Sequence, residues 1–192
     1  MTTPSGTDDD FVDARVVRTR NDVLGTALRI LVEQGREAVT HNYVASEAGY
    51  SRATVYKHWP TKSDLLYDAF SWLRDMPHHV PTGDVRHDLI AELIAFRSAI
   101  KEHHLDRLLA VLAEMSSSNE QLAQVRDEMV RNGEATQRAL LATITHGEEL
   151  EAASLMLSGF VSTAAMMHDS LPSDELITTA VDLVLGGISH TD

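Results

Sequence analysis

"EAGYSRATVYKHWPTKSDLL" occupies Glu47 to Leu66, and the reading of the whole chain turns on it. Ala48-Gly49-Tyr50-Ser51 ends one helical pattern and opens another. Gly readily takes the left-handed backbone that closes a helix, and a Ser side chain accepts from a free N–H at the start of the next. Val55 and Trp59 stand four residues apart and share one face of the second segment. Pro60 stops that segment, having no N–H to continue the ladder. The opposite face carries Arg52, Ala53, Tyr56 and Lys57. Two short helices joined by a tight turn containing Gly form a helix-turn-helix arrangement, with the second helix held outward.

The charge distribution sharpens this reading. The chain has 192 residues, 29 acidic against 16 basic, and a formal net charge of −13. Residues 1–14 hold four Asp and no base; residues 15–62 hold eight bases and four acids; residues 63–192 hold eight bases and 21 acids. Only the middle segment favours a polyanion. Arg52 and Lys57 can donate to guanine edges or phosphates, and Thr54 can reach a base or a thymine methyl. Thr40, Ser51 and Thr61 open helices, where free N–H groups and the helix dipole favour phosphate, and Lys62 adds a point charge. Taken singly, each reads first as a helix cap or a surface group, and the DNA-binding reading rests on their combination. Arg15, Arg18 and Arg20 read either as phosphate contacts or as a solvated flank.

Along the chain, Met1 to Ala14 is Thr-, Asp- and Ser-rich and reads as a disordered acidic tail. A capping box at Thr19 and Asp22 opens a first helix that Gly35 closes. The second runs from Thr40 to Gly49, and the third from Ser51 to Pro60. The fourth, opened by Thr61 and Asp64, extends to about Met76. Residues 77–83 form a loop. Periodic apolar sets then mark helices over Leu89–Ile100, Leu105–Met115, Leu122–Ile144 (loosened near Gly133), Leu150–His168 and Leu176–Ile188. The expectation is an all-α chain of about nine helices. It comprises a tail at 1–14, a three-helix helix-turn-helix domain at 15–61, and a helical effector-binding and dimerisation domain at 62–192.

The order of these features resembles the N-terminal domain of the tetracycline-repressor (TetR) family. The residues that carry the resemblance are Thr40, Ala48-Gly49-Tyr50-Ser51, Thr54-Val55-Tyr56-Lys57-His58-Trp59 and Lys62. Tyr50 stands in place of the usual aliphatic residue, Trp59 of Phe, and Ala53 of a frequent Gly. The resemblance implies a DNA-binding surface of Thr40, Ser51, Arg52, Ala53, Thr54, Tyr56, Lys57, His58 and Lys62, with Thr40, Tyr56 and Lys62 on phosphate. It also implies a homodimer on a palindromic operator, and repression relieved when a small ligand changes the spacing of the recognition helices.

For the C-terminal half, two apolar stripes are expected at the dimer interface: Leu157, Val161 and Ala164 on one helix, and Ile177, Val181 and Val184 on the last. The alternative is that a stripe closes the subunit's own core. Phe96, Met115, Met129, Met156, Phe160 and Met167 are soft groups suited to an effector pocket for an apolar or amphipathic ligand, or equally to a core. The chain has no cysteine, Walker loop, nucleophile elbow or His-Glu-x-x-His zinc helix, so no enzyme, cofactor or metal is expected. His78-His79 and His103-His104 keep open a metal-responsive regulator of the same fold, and a helical adaptor without DNA is a further alternative. With no N-terminal apolar run and no apolar stretch of about 18 residues, the expected compartment is the cytoplasm.

Overall fold

The computed structural model describes residues 8–73, 78–168 and 170–188, with side chains from Arg15 onward. Nine α-helices and one 3-10 turn make up the regular structure of these residues, with no strand among them. The chain forms two compact units, Met1–Trp72 and Leu73–Asp192. The division falls after the fourth helix, whereas the sequence placed it before.

In the first unit, α1 spans Asp8–Gln34, α2 His41–Ala48, α3 Arg52–His58 and α4 Lys62–Trp72, with a 3-10 turn at Arg36–Ala38. Residues 8–14 of the expected tail are thus helical, while 1–7 lie outside the described residues. Thr19 is internal to α1 and its hydroxyl donates to the Arg15 carbonyl at 2.9 Å, so it is not the expected cap.

The other end signals are realised as bonds. Gly35 donates to Leu31 O. Thr40 accepts from Tyr43 N, and Ser51 accepts from Thr54 N. Thr61 and Asp64 cap each other, at 2.9 Å from Thr61 N and 3.1 Å from Asp64 N. Val23, Ala27, Ile30, Val44, Val55, Trp59, Leu65 and Phe70 make a common core. The packing of α4 against α1 is what joins α4 to this unit.

In the second unit, α5 spans Val85–His103, α6 Leu105–Ser116, α7 Glu120–Leu141, α8 Gly147–His168 and α9 Asp174–Ile188. Asp84 and Asn119 cap α5 and α7. Gly133 leaves α7 unbroken, and Ile144 falls in the turn beyond it, exposed. The end of α4 expected near Met76 lies outside the described residues.

The stripes expected at the dimer interface are corrected here. Leu157, Val161, Ile177 and Val181 are at most 1% exposed and Val184 is 8% exposed, so they close the subunit's own core; Ala164 is half-buried. Periodicity finds an apolar stripe but not which way it looks, and α8 carries two. Its other stripe, with Leu155, Met156, Met166 and Met167, faces outward, as do Leu176 and Leu183 on α9. By length and composition α8 is apolar enough to cross a membrane, with mean hydropathy 1.4, against the sequence expectation. Its inward side packs on α5, α6, α7 and α9.

Candidate functional site

The outward face of α3 is as the alternation of its residues requires. Arg52, Ala53, Tyr56 and Lys57 are exposed while Val55 is buried beneath them. Thr54 is half-buried, and its hydroxyl is paired with that of Ser51 at 2.8 Å. The two hydroxyls therefore fix the start of the helix, and of the two residues Ser51 is the exposed one.

Beneath this face runs a relay of contacts that residue spacing does not show. The Trp59 carbonyl accepts from Nε2 of buried His41 at 2.8 Å. The His41 ring stacks on Tyr56, centroids 4.1 Å apart and planes within 9°. The Arg52 guanidinium lies 5.1 Å over the same tyrosine. The Tyr56 ring is thereby clamped between α2 and Arg52, which orders the arginine head for a ligand. His58 is half-buried and tilted against Trp59.

Trp59 and Tyr50, two departures from the family pattern, each gain a carboxylate partner. Trp59 Nε1 donates to Asp68 at 2.9 Å, and the Tyr50 hydroxyl donates to Asp22 at 2.7 Å. Arg20 pairs with the same Asp68 oxygen and lies 5.2 Å over the Trp59 ring, so it ties α1 to α3 and α4. Arg15 and Arg18 remain exposed. Lys62 is half-buried and its Nζ donates to the Arg36 carbonyl at 2.6 Å, holding the 3-10 turn; two of its three ammonium protons stay available.

The profile of the bacterial regulatory proteins, tetR family, matches residues 23–69, the segment that carries this geometry. Residues 23–69 form a TetR-family domain. A curated relative, the uncharacterized HTH-type transcriptional regulator Rv1556 of Mycobacterium tuberculosis, is 27% identical over 173 residues, covering 85% of this chain and 84% of the relative. A TetR-family regulator from Mesorhizobium loti superposes with a TM-score of 0.71 at 15% identity, over 91% of this chain and 96% of its own. A transcriptional regulator from Saccharomonospora viridis, solved with choline, gives 0.66 at 18%, over 91% and 97%. At such identities the structural likeness speaks for the fold, and the TetR-family DNA-binding helix-turn-helix is the shared part that defines this protein as a transcriptional regulator.

The second unit holds a cavity of about 190 Å³ between α5, α6, α7 and α8. Of the six pocket residues expected from sequence, Phe96 and Met129 line it. The others are corrected. Met115 is buried away from the lining, Phe160 is half-buried outside it, and Met156 and Met167 are 61% and 72% exposed on the outer face of α8. Methionine softness suits pocket, core and interface alike, so residue type alone did not separate the three. Sequence reasoning missed Glu92, Glu134 and Gln137, which also line the cavity. Helical spacing from Phe96 and Met129 (one turn back to Glu92, and one turn on to Gly133 and Glu134) was the available signal.

The histidine pair at 78–79 is split between two buried acids of α5. His78 Nδ1 meets Glu92 at 2.6 Å, and His79 Nε2 meets Asp88 at 2.9 Å. Thr82 N, Thr82 Oγ1 and Gly83 N also donate to Asp88. Burial alone would raise the Asp88 pKa, but these donors together with His79 outweigh it and hold the carboxyl well below its ordinary range. Ligand-type atoms of His79, His87 and Asp88 come within 4.8 Å of one another. The Asp88 oxygens are, however, already engaged in folding the 78–83 loop onto α5.

Proposed function

We propose that this protein is a homodimeric repressor that binds a palindromic operator and leaves it when a small organic ligand enters the α5–α8 cavity. The observation that carries the DNA-binding part is the exposed Arg52–Tyr56–Lys57 face, braced from below by His41, on the only net-basic segment of an acidic chain. Arg52 and Lys57 read base edges or phosphates, Ala53 keeps the helix low in the groove, and Thr40, Ser51, Tyr56 and Lys62 hold the flanking backbone. Thr54 and His58, both half-buried, brace the two ends of the helix, Thr54 through Ser51 and His58 against Trp59.

Two copies are required to present two such faces about 34–36 Å apart. The exposed Leu155, Met156 and Met167 on α8, with Leu176 and Leu183 on the adjoining α9, support a second copy of this chain as the cover, since large apolar side chains grouped on packed helices favour association. The choline held by the Saccharomonospora viridis protein supports a small-molecule effector within this fold. A ligand shifts the equilibrium only through its preference for the non-binding arrangement, and the proposed sign is release.

Selection from random duplexes tests the reading. The expected product is an inverted repeat whose half-sites lie on one face of the helix, bound in a salt-sensitive manner. Recovery of no enriched sequence at low salt would favour the helical adaptor instead.

A further inference from the structure

We infer that the cavity takes a cation, an ammonium group on an apolar body, with Glu134 as its charge partner; this rests on reading the cavity as the effector site. Leu93, Phe96, Leu109, Met129 and Val130 give apolar walls. The cavity is of the same order as engineered apolar cavities of about 150 Å³ that hold benzene. Its charged lining is Glu92 and Glu134, with no lysine or arginine among the described lining residues.

Glu92 is 4% exposed, and its two oxygens accept from His78 Nδ1 and His79 N. Both Glu92 oxygens are thus engaged by the loop before α5. Glu134 is half-buried and uses Oε1 to accept from the Ser158 hydroxyl at 2.9 Å. Arg138, one turn further along α7, commits both terminal nitrogens to Glu151 at 2.9 and 2.5 Å. Arg138 therefore acts on Glu134 through its field and not through a hydrogen bond, and Glu134, a lining residue of the cavity, keeps Oε2 for a ligand in this proposal. An anion would meet two carboxylates, and a neutral alcohol would gain one hydrogen bond without the charge attraction. A cation gains the Coulomb attraction that weak screening strengthens, with Phe96 as an aromatic wall beside it.

Calorimetric titration of the full chain with 4-phenylbutylamine, 4-phenylbutan-1-ol and 4-phenylbutanoate, which share one skeleton and differ in charge, tests this. The expected order is amine, alcohol, carboxylate, with the amine about tenfold tighter than the alcohol. Glu134→Gln keeps an acceptor for Ser158 and should bring the amine down to the level of the alcohol. Equal affinities for amine and alcohol, or a preference that survives Glu134→Gln, would overturn the cation assignment while leaving the cavity as the effector site. Failure of all three to bind would instead remove the effector reading, and the inference with it.

Discussion

Trp59 shows how much one residue carries. Its indole is buried, its Nε1 donates to Asp68, its ring lies under Arg20, and its carbonyl fixes His41. Trp59→Phe keeps most of the apolar volume and removes one bond to a charged acceptor, so it should cost about 1–2 kcal/mol in urea denaturation. An unchanged midpoint would contradict that role for Asp68. Arg52→Ala and Lys57→Ala should each weaken operator binding by about 1–3 kcal/mol without lowering the melting temperature, as measured by fluorescence anisotropy and thermal unfolding. Lys57→Ala should also flatten the salt dependence if it contacts phosphate. The outward placement of Arg52 and Lys57 was legible in the sequence because alternation within one helix is local. The partners of Trp59 were not, because Asp68 and His41 reach it from other helices.

Among elements, the turn from α2 to α3 was the most legible. Gly49 adopts φ 75° and donates to Ala45 O and Ser46 O, as a glycine helix stop requires. Gly49→Ala forces a side chain into the left-handed region and should cost about 1–2 kcal/mol, tested by chemical denaturation. A neutral result would mean that the turn relaxes elsewhere. Thr19 and Asp22 show why the same pattern failed upstream. The capping residues were present, but α1 simply continued through them, and Asp22 instead accepts from Tyr50.

The loop before α5 was read only as a loop, since nothing local reveals that Thr82 and Gly83 fold back onto Asp88. A depressed carboxyl in the folded state means that its stabilisation is present above the unfolded value near about 3.9. It is lost as pH falls through that value toward the folded one. Melting temperature should therefore drop below about pH 4, and Asp88→Asn should start lower at neutral pH but fall less. Parallel curves for the two proteins would dismiss Asp88 as the source.

At the scale of the molecule, the sequence supplied two helical units and one apolar stripe on each of the last two helices, but not that α8 carries a second stripe or which one the subunit keeps for itself. Burial resolves that: Leu157 and Val161 go inward, and Leu155, Met156 and Met167 remain outside with Leu183. Leu183→Arg should convert a sedimenting dimer into a monomer while leaving helicity intact, because it places a charge on the outward apolar face rather than in the core. A dimer that survives this change places the interface elsewhere.

The central claim is that two copies of the Arg52–Lys57 face meet one duplex together. Hydroxyl-radical footprinting on the selected inverted repeat tests it most directly. Two protected patches are expected about 10 base pairs apart, or a small multiple of that spacing. Both should vanish in the Arg52→Ala, Lys57→Ala double variant. A single protected patch, or a double one that the two substitutions leave untouched, would contradict it.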